Sequence, residues 1–377
     1  MSFTIGIDAS RNRSGGAKTH IIGFLNELDI LKHNIAKVHV WSYSELIELL
    51  PNKYWLIKHS PEKINRSIFS QLVWQRWKLP KELKRLNCDI ILNTDAGTIC
   101  RFNPSITMSR DMLSYEYGEM KRYRYGKSWV RLLLLKFMQN NSFNSASGVI
   151  FLTEYASSVI QESCGKLKNF KIIPHGVSED FKNQKILSIW PSKTSEQINC
   201  LYVSNSAPYK HQWTVIKAIK QMNDKGFNLK LTLAGAKGAA HPLVEKAIKD
   251  CEGHKFVNFL GHVEKSELPV LLANSNIFIF ASSCENMPNT LIESMCIGLP
   301  IACSNRGPMP EVLEGGGLYF DPEDIESIKK SIESIIIDEE LRGVIAKKAQ
   351  KKSYEYSWKR CANETIDYLL EIIKNKE

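Results

Sequence analysis

Apolar positions along the chain fall into two alternating patterns. Short runs rich in β-branched residues, at 4–8, 37–41, 89–93, 105–109, 148–153 and 171–174, are separated by longer segments of helical period such as 17–31. After a polar interval the alternation restarts, with runs at 200–204, 229–234, 255–260, 276–281, 300–304 and 317–320. Strands alternating with helices predict parallel sheets covered on both faces. Two successive sets predict two doubly wound, Rossmann-like α/β domains, at 1–180 and 198–353. The stretch between them, 178–197, is polar around a lone Trp190-Pro191 and reads as a linker. Residues 354–374 are helical in period beyond the last strand, and the topology predicts that the C-terminal segment, 354–377, packs back on the first domain.

Composition agrees with two soluble domains: 377 residues, 43% hydrophobic and 24% charged, exclude disorder and supply enough apolar surface for real cores. The longest apolar stretches, 277–281 and 132–135, fall far short of the ~20 residues a spanning helix needs. The opening Phe3-Thr4-Ile5-Gly6-Ile7-Asp8 alternates like a strand and lacks a basic run, so no signal peptide is expected. Nine cysteines are scattered without a Cys-x-x-Cys pair. That argues against a disulfide framework or a zinc site and makes a reducing cytoplasm the expectation.

Charge is unevenly placed. Residues 1–180 hold 25 Lys+Arg against 16 Asp+Glu, whereas 181–377 hold 25 against 24. A basic first half predicts an anionic partner: phospholipid head groups, a diphosphate-bearing substrate or nucleic acid. Two stretches there mix bases with aromatics: Trp74-Gln75-Arg76-Trp77-Lys78-Leu79-Pro80-Lys81, and the longer run at 121–137. This composition suits a helix lying in a membrane interface. No recognition-helix, RRM or zinc pattern accompanies it, so nucleic acid is not the expected partner. A core helix with a basic outer face remains the alternative.

The sharpest local signal lies in the second half. A buried-strand run, 277–281, leads into Ser282-Ser283-Cys284-Glu285-Asn286-Met287-Pro288-Asn289 and then a helix. Loops at the C-terminal ends of strands are where open α/β sheets bind ligands. Backbone N–H groups of Asn289, Thr290 and Leu291 at the helix start suit a diphosphate. Glu285 on the loop and Glu293 on the helix's first turn can accept hydrogen bonds from sugar and ribose hydroxyls. Alternatively, Glu285 caps a turn and Glu293 complements the helix dipole.

Here the chain resembles the retaining GT-B glycosyltransferases of group 1, family 4. The resemblance rests on Glu285 and Glu293 in E-x7-E spacing, on Asn305-Arg306-Gly307-Pro308-Met309-Pro310-Glu311-Val312 and on Gly315-Gly316-Gly317-Leu318-Tyr319-Phe320. Ser14-Gly15-Gly16-Ala17, Ile173-Pro174-His175-Gly176-Val177, Tyr209-Lys210-His211 and Ser357-Trp358 match in order. The resemblance implies a first domain that binds the acceptor and a second that binds a nucleotide sugar, facing a cleft. It implies donor contacts from Gly15, Gly16, His175, Asn205, Asn286, Met287, Pro288, Asn289, Thr290 and Glu293. Catalytic roles fall to Glu285, Lys210, Asp111 and Arg110, with Lys210 on the diphosphate. Two departures stand out: Asn205 replaces the Arg of a common Gly-Arg pair, and Arg110 replaces the His of a His-Asp pair whose Asp111 persists. Asn286 stands where Gly is common, and Asn tolerates the left-handed conformation.

No Asp-x-Asp occurs in the chain, so no divalent metal or other cofactor is expected; the departing diphosphate would be stabilised by fixed donors and bases. The combined expectation is a hexosyltransferase that uses a UDP- or GDP-linked sugar and retains configuration. Its acceptor would be a glycan or lipid-linked oligosaccharide of O-antigen, lipopolysaccharide or capsule biosynthesis. It would be cytoplasmic and peripheral at the inner face of the cytoplasmic membrane. An inactive nucleotide-sugar binder and a GT-B sugar-nucleotide epimerase are the alternatives.

Overall fold

The computed structural model describes residues 2–123, 126–193 and 196–375. It divides into two units, Met1–Gly176 with Ser357–Glu377, and Val177–Tyr356. Arg124 and Tyr125 of the basic-aromatic run, and Lys376 and Glu377 of the C-terminal segment, lie outside the described residues.

The first unit is built on a parallel sheet of seven strands: β1 (Phe3–Asp8), β2 (Ile35–Trp41), β3 (Leu56–His59), β4 (Ile90–Asn93), β5 (Ser105–Met108), β6 (Gly148–Phe151) and β7 (Phe170–Ile172), in the order β3-β2-β1-β4-β5-β6-β7. Central strands of such sheets are covered on both faces and read as near-continuous apolar runs. Accordingly, every residue of Ile90-Ile91-Leu92-Asn93 is buried, with Ile5 paired to Ile90 and Ile7 to Leu92. Strand β3 is absent from the predicted set because it is a short edge strand with only Leu56 buried, so its Lys58 and His59 break the apolar signal.

Chain direction in the sheet reverses once. From β1 the chain steps outward through β2 to β3, then returns to the other side of β1 and runs outward through β4 to β7. Right-handed crossovers therefore put the helix Gly15–Glu27 on one face of the sheet, and the helical segments between β3 and β4 and between β5 and β6 on the other. The last helix, Trp358–Lys374, packs against Gly15–Glu27. Its buried residues Trp358, Cys361, Ala362, Thr365, Ile366, Leu369 and Ile373 recur at helical spacing. The Ser357 hydroxyl caps it by accepting from the Arg360 N–H at 3.0 Å.

The second unit has six parallel strands: β8 (Ile198–Val203), β9 (Leu229–Ala234), β10 (Val257–Gly261), β11 (Ile277–Phe280), β12 (Ile301–Ser304) and β13 (Leu318–Phe320), in the order β10-β9-β8-β11-β12-β13. Its reversal lies between β8 and β11, so the loops leaving these two neighbours diverge and open a crevice.

One expectation needs correcting here. The stretch 178–197 read as a linker is bonded to the second unit over 181–189, and Thr194 and Ser195 lie outside the described residues. Phe181, on the short helix Glu179–Lys182, is buried; the N–H groups of Leu187 and Ser188 donate to the Ala273 carbonyl; and Asn276 Nδ2 donates to the Ile189 carbonyl. The buried Phe181 side chain, these hydrogen bonds and the Arg342 guanidinium over the Trp190 ring fix it to the second unit, whereas Ile186, Leu187 and Ile189 are exposed. Residues 354–356 also belong to that unit: Tyr356 donates its hydroxyl to the Val312 carbonyl, and the change of unit falls at Ser357.

Packing between the first and last helices yields a test. A Cβ at Gly23 would lie 2.4 Å from the Trp358 indole, whereas one at Gly15 would meet nothing within 4 Å. Gly23→Ala should therefore cost about 1–3 kcal/mol of stability. Gly15→Ala should leave the thermal melting temperature nearly unchanged; equal melting of the two variants would contradict this packing.

Candidate active site

In the second unit the crevice at the sheet reversal is lined by the segments that follow β8 and β11. After β8 the chain makes a single turn, Pro208–Lys210, and His211 enters the next helix, Gln212–Asp224, with a left-handed backbone at φ 46°. After β11 it runs through residues 281–288 into the helix Asn289–Ile297. Hydrogen bonds stitch the two segments together. The Ser283 N–H donates to the Tyr209 carbonyl at 2.9 Å, His211 Nε2 bonds Ser283 Oγ at 2.8 Å, and the Tyr202 hydroxyl donates to the Lys210 carbonyl at 2.6 Å.

This stitching brings two of the expected residues into contact. Lys210 Nζ forms an ion pair with Glu285 Oε1, and both side chains are largely buried. The ammonium also lies 5.3 Å from the Phe280 ring centroid, a cation–π distance. Thr290, in the first turn of the helix Asn289–Ile297, donates its hydroxyl to the Val203 carbonyl at 3.3 Å, anchoring the helix start to the end of β8. Beside it, Asn289 Oδ1 is buried with no hydrogen-bond partner among the described residues. Met287 and Asn286 are buried in the loop. Asn286 is not left-handed, so the tolerance invoked for it is not used; His211 supplies the site's left-handed residue instead. Asn205 lies exposed after β8.

Glu293 departs from expectation in position. The helix starts at Asn289, which puts Glu293 in the second turn, where it cannot complement the N-terminal dipole. It is buried and joined by no hydrogen bond or ion pair to Lys210 or Glu285. Desolvation pushes its carboxyl up to about 7, with Lys265 opposing weakly. A hydroxyl-bearing ligand could hydrogen-bond this buried carboxyl group.

The remaining predicted residues gather in the first unit. Gly15 and Gly16 open the helix Gly15–Glu27, capped by Ser14. Arg110 spends its guanidinium on that helix, donating to the Gly16 carbonyl at 2.8 Å and the Ala17 carbonyl at 3.3 Å. Burial lowers its pKa to about 10. Beneath lie His20, held neutral mainly by burial, and His175, stacked on Trp358 at 5.7 Å. Asp111 accepts from the Leu113 N–H at 3.0 Å, and burial raises its pKa. Among the described residues no three His, Cys, Asp or Glu side chains cluster in a way that could hold a metal ion.

Comparison with known proteins now bears on this geometry. Residues 188–352 match the family described as glycosyl transferases group 1. This part of the chain is similar to that family, and the match spans under half of the chain. Over 168 residues it is 26% identical to O-antigen chain mannosyltransferase B of Escherichia coli, the match covering 44% of each chain. The chain thus spans under half the length of that relative. It is 20% identical to alpha-monoglucosyldiacylglycerol synthase of Acholeplasma laidlawii, over 91% of this chain and 90% of that one. In fold it resembles HepE of Anabaena, solved in complex with UDP, with TM-score 0.71 and 18% identity over 98% of this chain and 100% of that one. The architecture is that of the GT-B glycosyltransferases.

The matched segment therefore contains the Lys210–Glu285 pair and Glu293, whereas Arg110, Asp111, His175 and the Gly15-Gly16 turn lie outside it. Sequence reasoning gave no role to Tyr202, His211 and Ser283, which hold Lys210 in place, although His211 and Ser283 lie within the motifs it singled out.

Glu293 gives a prediction with a definite sign. Its folded pKa lies above that of the unfolded chain, so its neutral burial is fully compatible with folding below about pH 4.5 and stability is lost as pH rises through about 7. Glu293→Gln removes this loss. Relative to the parent it should gain on the order of 3 kcal/mol between pH 4.5 and 8, read from paired denaturation curves. A difference between parent and variant that does not change with pH would refute neutral burial.

Proposed function

We propose that this protein transfers a hexose from a UDP- or GDP-linked sugar to a lipid-linked glycan of O-antigen, lipopolysaccharide or capsule type. Retention of configuration and independence of divalent metal belong to the same reading. The observation that carries it is the Lys210–Glu285 pair, held at the sheet reversal of a unit similar to the group 1 glycosyltransferases. Named relatives support the substrate classes: the Escherichia coli protein is an O-antigen chain mannosyltransferase, and HepE was solved with UDP.

In this reading Lys210 Nζ and the N–H groups at the start of the helix Asn289–Ile297 receive the donor diphosphate, where negative charge grows as the sugar C1–O bond breaks. Glu285 orients the sugar by accepting from its hydroxyls, and Glu293 takes up a ribose hydroxyl. The acceptor oxygen bonds to C1 on the face the diphosphate leaves, and its proton passes to the departing phosphate oxygen. Configuration is then retained without a covalent enzyme intermediate.

Two exposed apolar stripes on the first unit support a membrane-bound acceptor. The helix Lys127–Ser145 exposes Val130, Leu133, Leu134 and Phe137 at i, i+3, i+4 and i+7, with Phe137 67% exposed. Lys127 and Arg131 flank this stripe. Ile68, Phe69, Val73 and Trp77 form the second stripe on the segments between β3 and β4. Both lie on the same side of the sheet. The core-helix alternative for 121–137 does not describe this face, which is apolar and exposed, although Leu132, Gln139 and Phe143 on the opposite side are buried. Among the described residues no helix is long and apolar enough to cross a membrane. An interfacial helix with basic flanks suits an anionic bilayer surface.

Donor turnover is the direct test. Purified protein with a panel of UDP- and GDP-sugars and a bacterial lipid extract, in the presence of chelator, should release nucleotide and label glycolipid from one donor. Lys210→Ala should reduce turnover about 10²–10³-fold. Turnover without any acceptor would favour an epimerase, and donor binding without transfer an inactive binder.

Vesicle flotation tests the surface separately. Leu134→Asp combined with Phe137→Asp should weaken binding to phosphatidylglycerol vesicles at least about tenfold. Unchanged flotation would exclude this stripe as the contact.

A further inference from the structure

The first unit has a sheet reversal of its own, between β1 and β4, and a cavity of about 410 Å³ opens among the segments that follow β1 and β3. Three arginines line it: Arg11 and Arg13 after β1, and Arg66 at the end of the short helix Glu62–Arg66. Gln71 closes the floor, and Ile68, 69% exposed, forms an apolar lip.

The arginines are placed rather than loose. Arg11 Nε donates to Asp95 Oδ1 at 3.0 Å, and the same oxygen accepts from the Gly97 N–H at 2.8 Å. Arg13 lies 3.8 Å above the Tyr43 ring and donates one Nη2 bond to the Ile64 carbonyl at 3.1 Å. Of the five N–H donors a guanidinium carries, that leaves most of Arg13 unspent, and among the described residues no carboxylate pairs with it. Arg66 pairs with Glu62, but both side chains are exposed, so the pair is weak and readily exchanged for a better anion.

Beneath the cavity a buried polar network fixes the backbone that presents Arg11 and Arg13. Asp8 accepts from the Ser10 N–H at 3.0 Å, from Ser10 Oγ at 2.6 Å and from Gln75 Nε2 at 2.6 Å, while Gln71 Nε2 donates to Ser10 Oγ at 2.8 Å. These bonds tie the end of β1 to the helical segments Ile68–Val73 and Trp74–Lys78, which carry the exposed apolar stripe.

We propose that this cavity is an anion site of the first unit, separate from the Lys210 crevice, and that it takes a phosphate or diphosphate carried by the acceptor. Planar guanidinium groups match phosphate oxygens, and a cavity of this volume is of ligand size. An isoprenoid or acyl chain attached to that phosphate would leave over Ile68 and Phe69. The anion site stands on its own geometry, whereas assigning it to the acceptor rests on the transfer reading above.

Arginine protection in the intact protein tests it. Phenylglyoxal modification is followed by peptide mass spectrometry with inorganic pyrophosphate, with farnesyl diphosphate, or with neither, and the exposed Arg85 serves as an internal reference. Pyrophosphate should slow modification of Arg13 and Arg66 about tenfold relative to Arg85. Protection by farnesyl diphosphate at much lower concentration than pyrophosphate identifies a lipid-borne phosphate. Equal protection by the two identifies a soluble phosphorylated acceptor. Equal slowing of all three arginines, or none, overturns the proposal. Arg13→Ala should abolish protection of Arg66 yet leave UDP affinity unchanged. Loss of UDP binding in the parent protein would strike the transfer reading alone, since protection at Arg13 is read independently.

Discussion

Burial of opposite charges at the diverging ends of two adjacent strands is the constraint on which the second unit's site depends. A lysine ammonium taken out of water costs several kcal/mol unless a partner and further contacts compensate. Lys210 has Glu285 as partner and the Phe280 and Tyr209 rings as neighbours, and its backbone carbonyl is held by Tyr202. The same pairing fixes the loop after β11, because Ser283 is bonded both to Tyr209 and to His211. The charge intended for a ligand is therefore set in position before any ligand arrives, and the cost of holding it there is met by folding. In the proposed reaction a donor diphosphate would enter by sharing Lys210 with Glu285 or displacing it. Release of Glu285 toward the sugar would then be coupled to phosphate binding.

Much of this was legible in the sequence, for a physical reason. The central strands of a doubly wound sheet are buried on both faces, so β1, β4, β8 and β11 announce themselves as apolar runs. All six strands of the second unit fell within predicted runs, although the edge strands β10 and β13 are largely unburied and do not carry that signature. The edge strand β3 was missed, because a half-exposed strand with Lys58 and His59 lacks that signature. The polar stretch 178–197 misled for the complementary reason. Its apolar side chains at 186, 187 and 189 are exposed, and what holds Leu187 and Ser188 in place is a backbone carbonyl of Ala273, to which composition is blind.

For the site, residue identity was legible and geometry was not. The family resemblance pointed to Lys210, Glu285 and Glu293, but it could not tell that the first two form an ion pair while the third is buried apart from both. Whether a carboxylate eight positions along falls in the first or second turn depends on where the helix starts, and Pro288 places that start at Asn289. Arg110 teaches the same lesson. As a bare arginine near the expected site it suggests a ligand contact; in the structure its donors go to the Gly16 and Ala17 carbonyls. There it acts as a clamp on the glycine turn, a positioning role for which a histidine would be too short and a lysine would lack the forked geometry.

Charge asymmetry takes on a different meaning once the helices are placed. A basic surplus confined to the first half could be solubilising decoration, and in that case the bases would lie among other polar residues. Instead, bases flank two apolar stripes that face outward from one side of a single sheet. A monomeric soluble domain gains nothing by exposing Phe69, Trp77, Leu134 and Phe137 together, since each is a side chain worth about 1.5–3 kcal/mol when removed from water. In the membrane-bound reading proposed above, something apolar and anionic covers this surface. The arginine-lined cavity lies beside one of these stripes, so the surface that would hold a membrane and the pocket that would hold a phosphate are continuous in one unit.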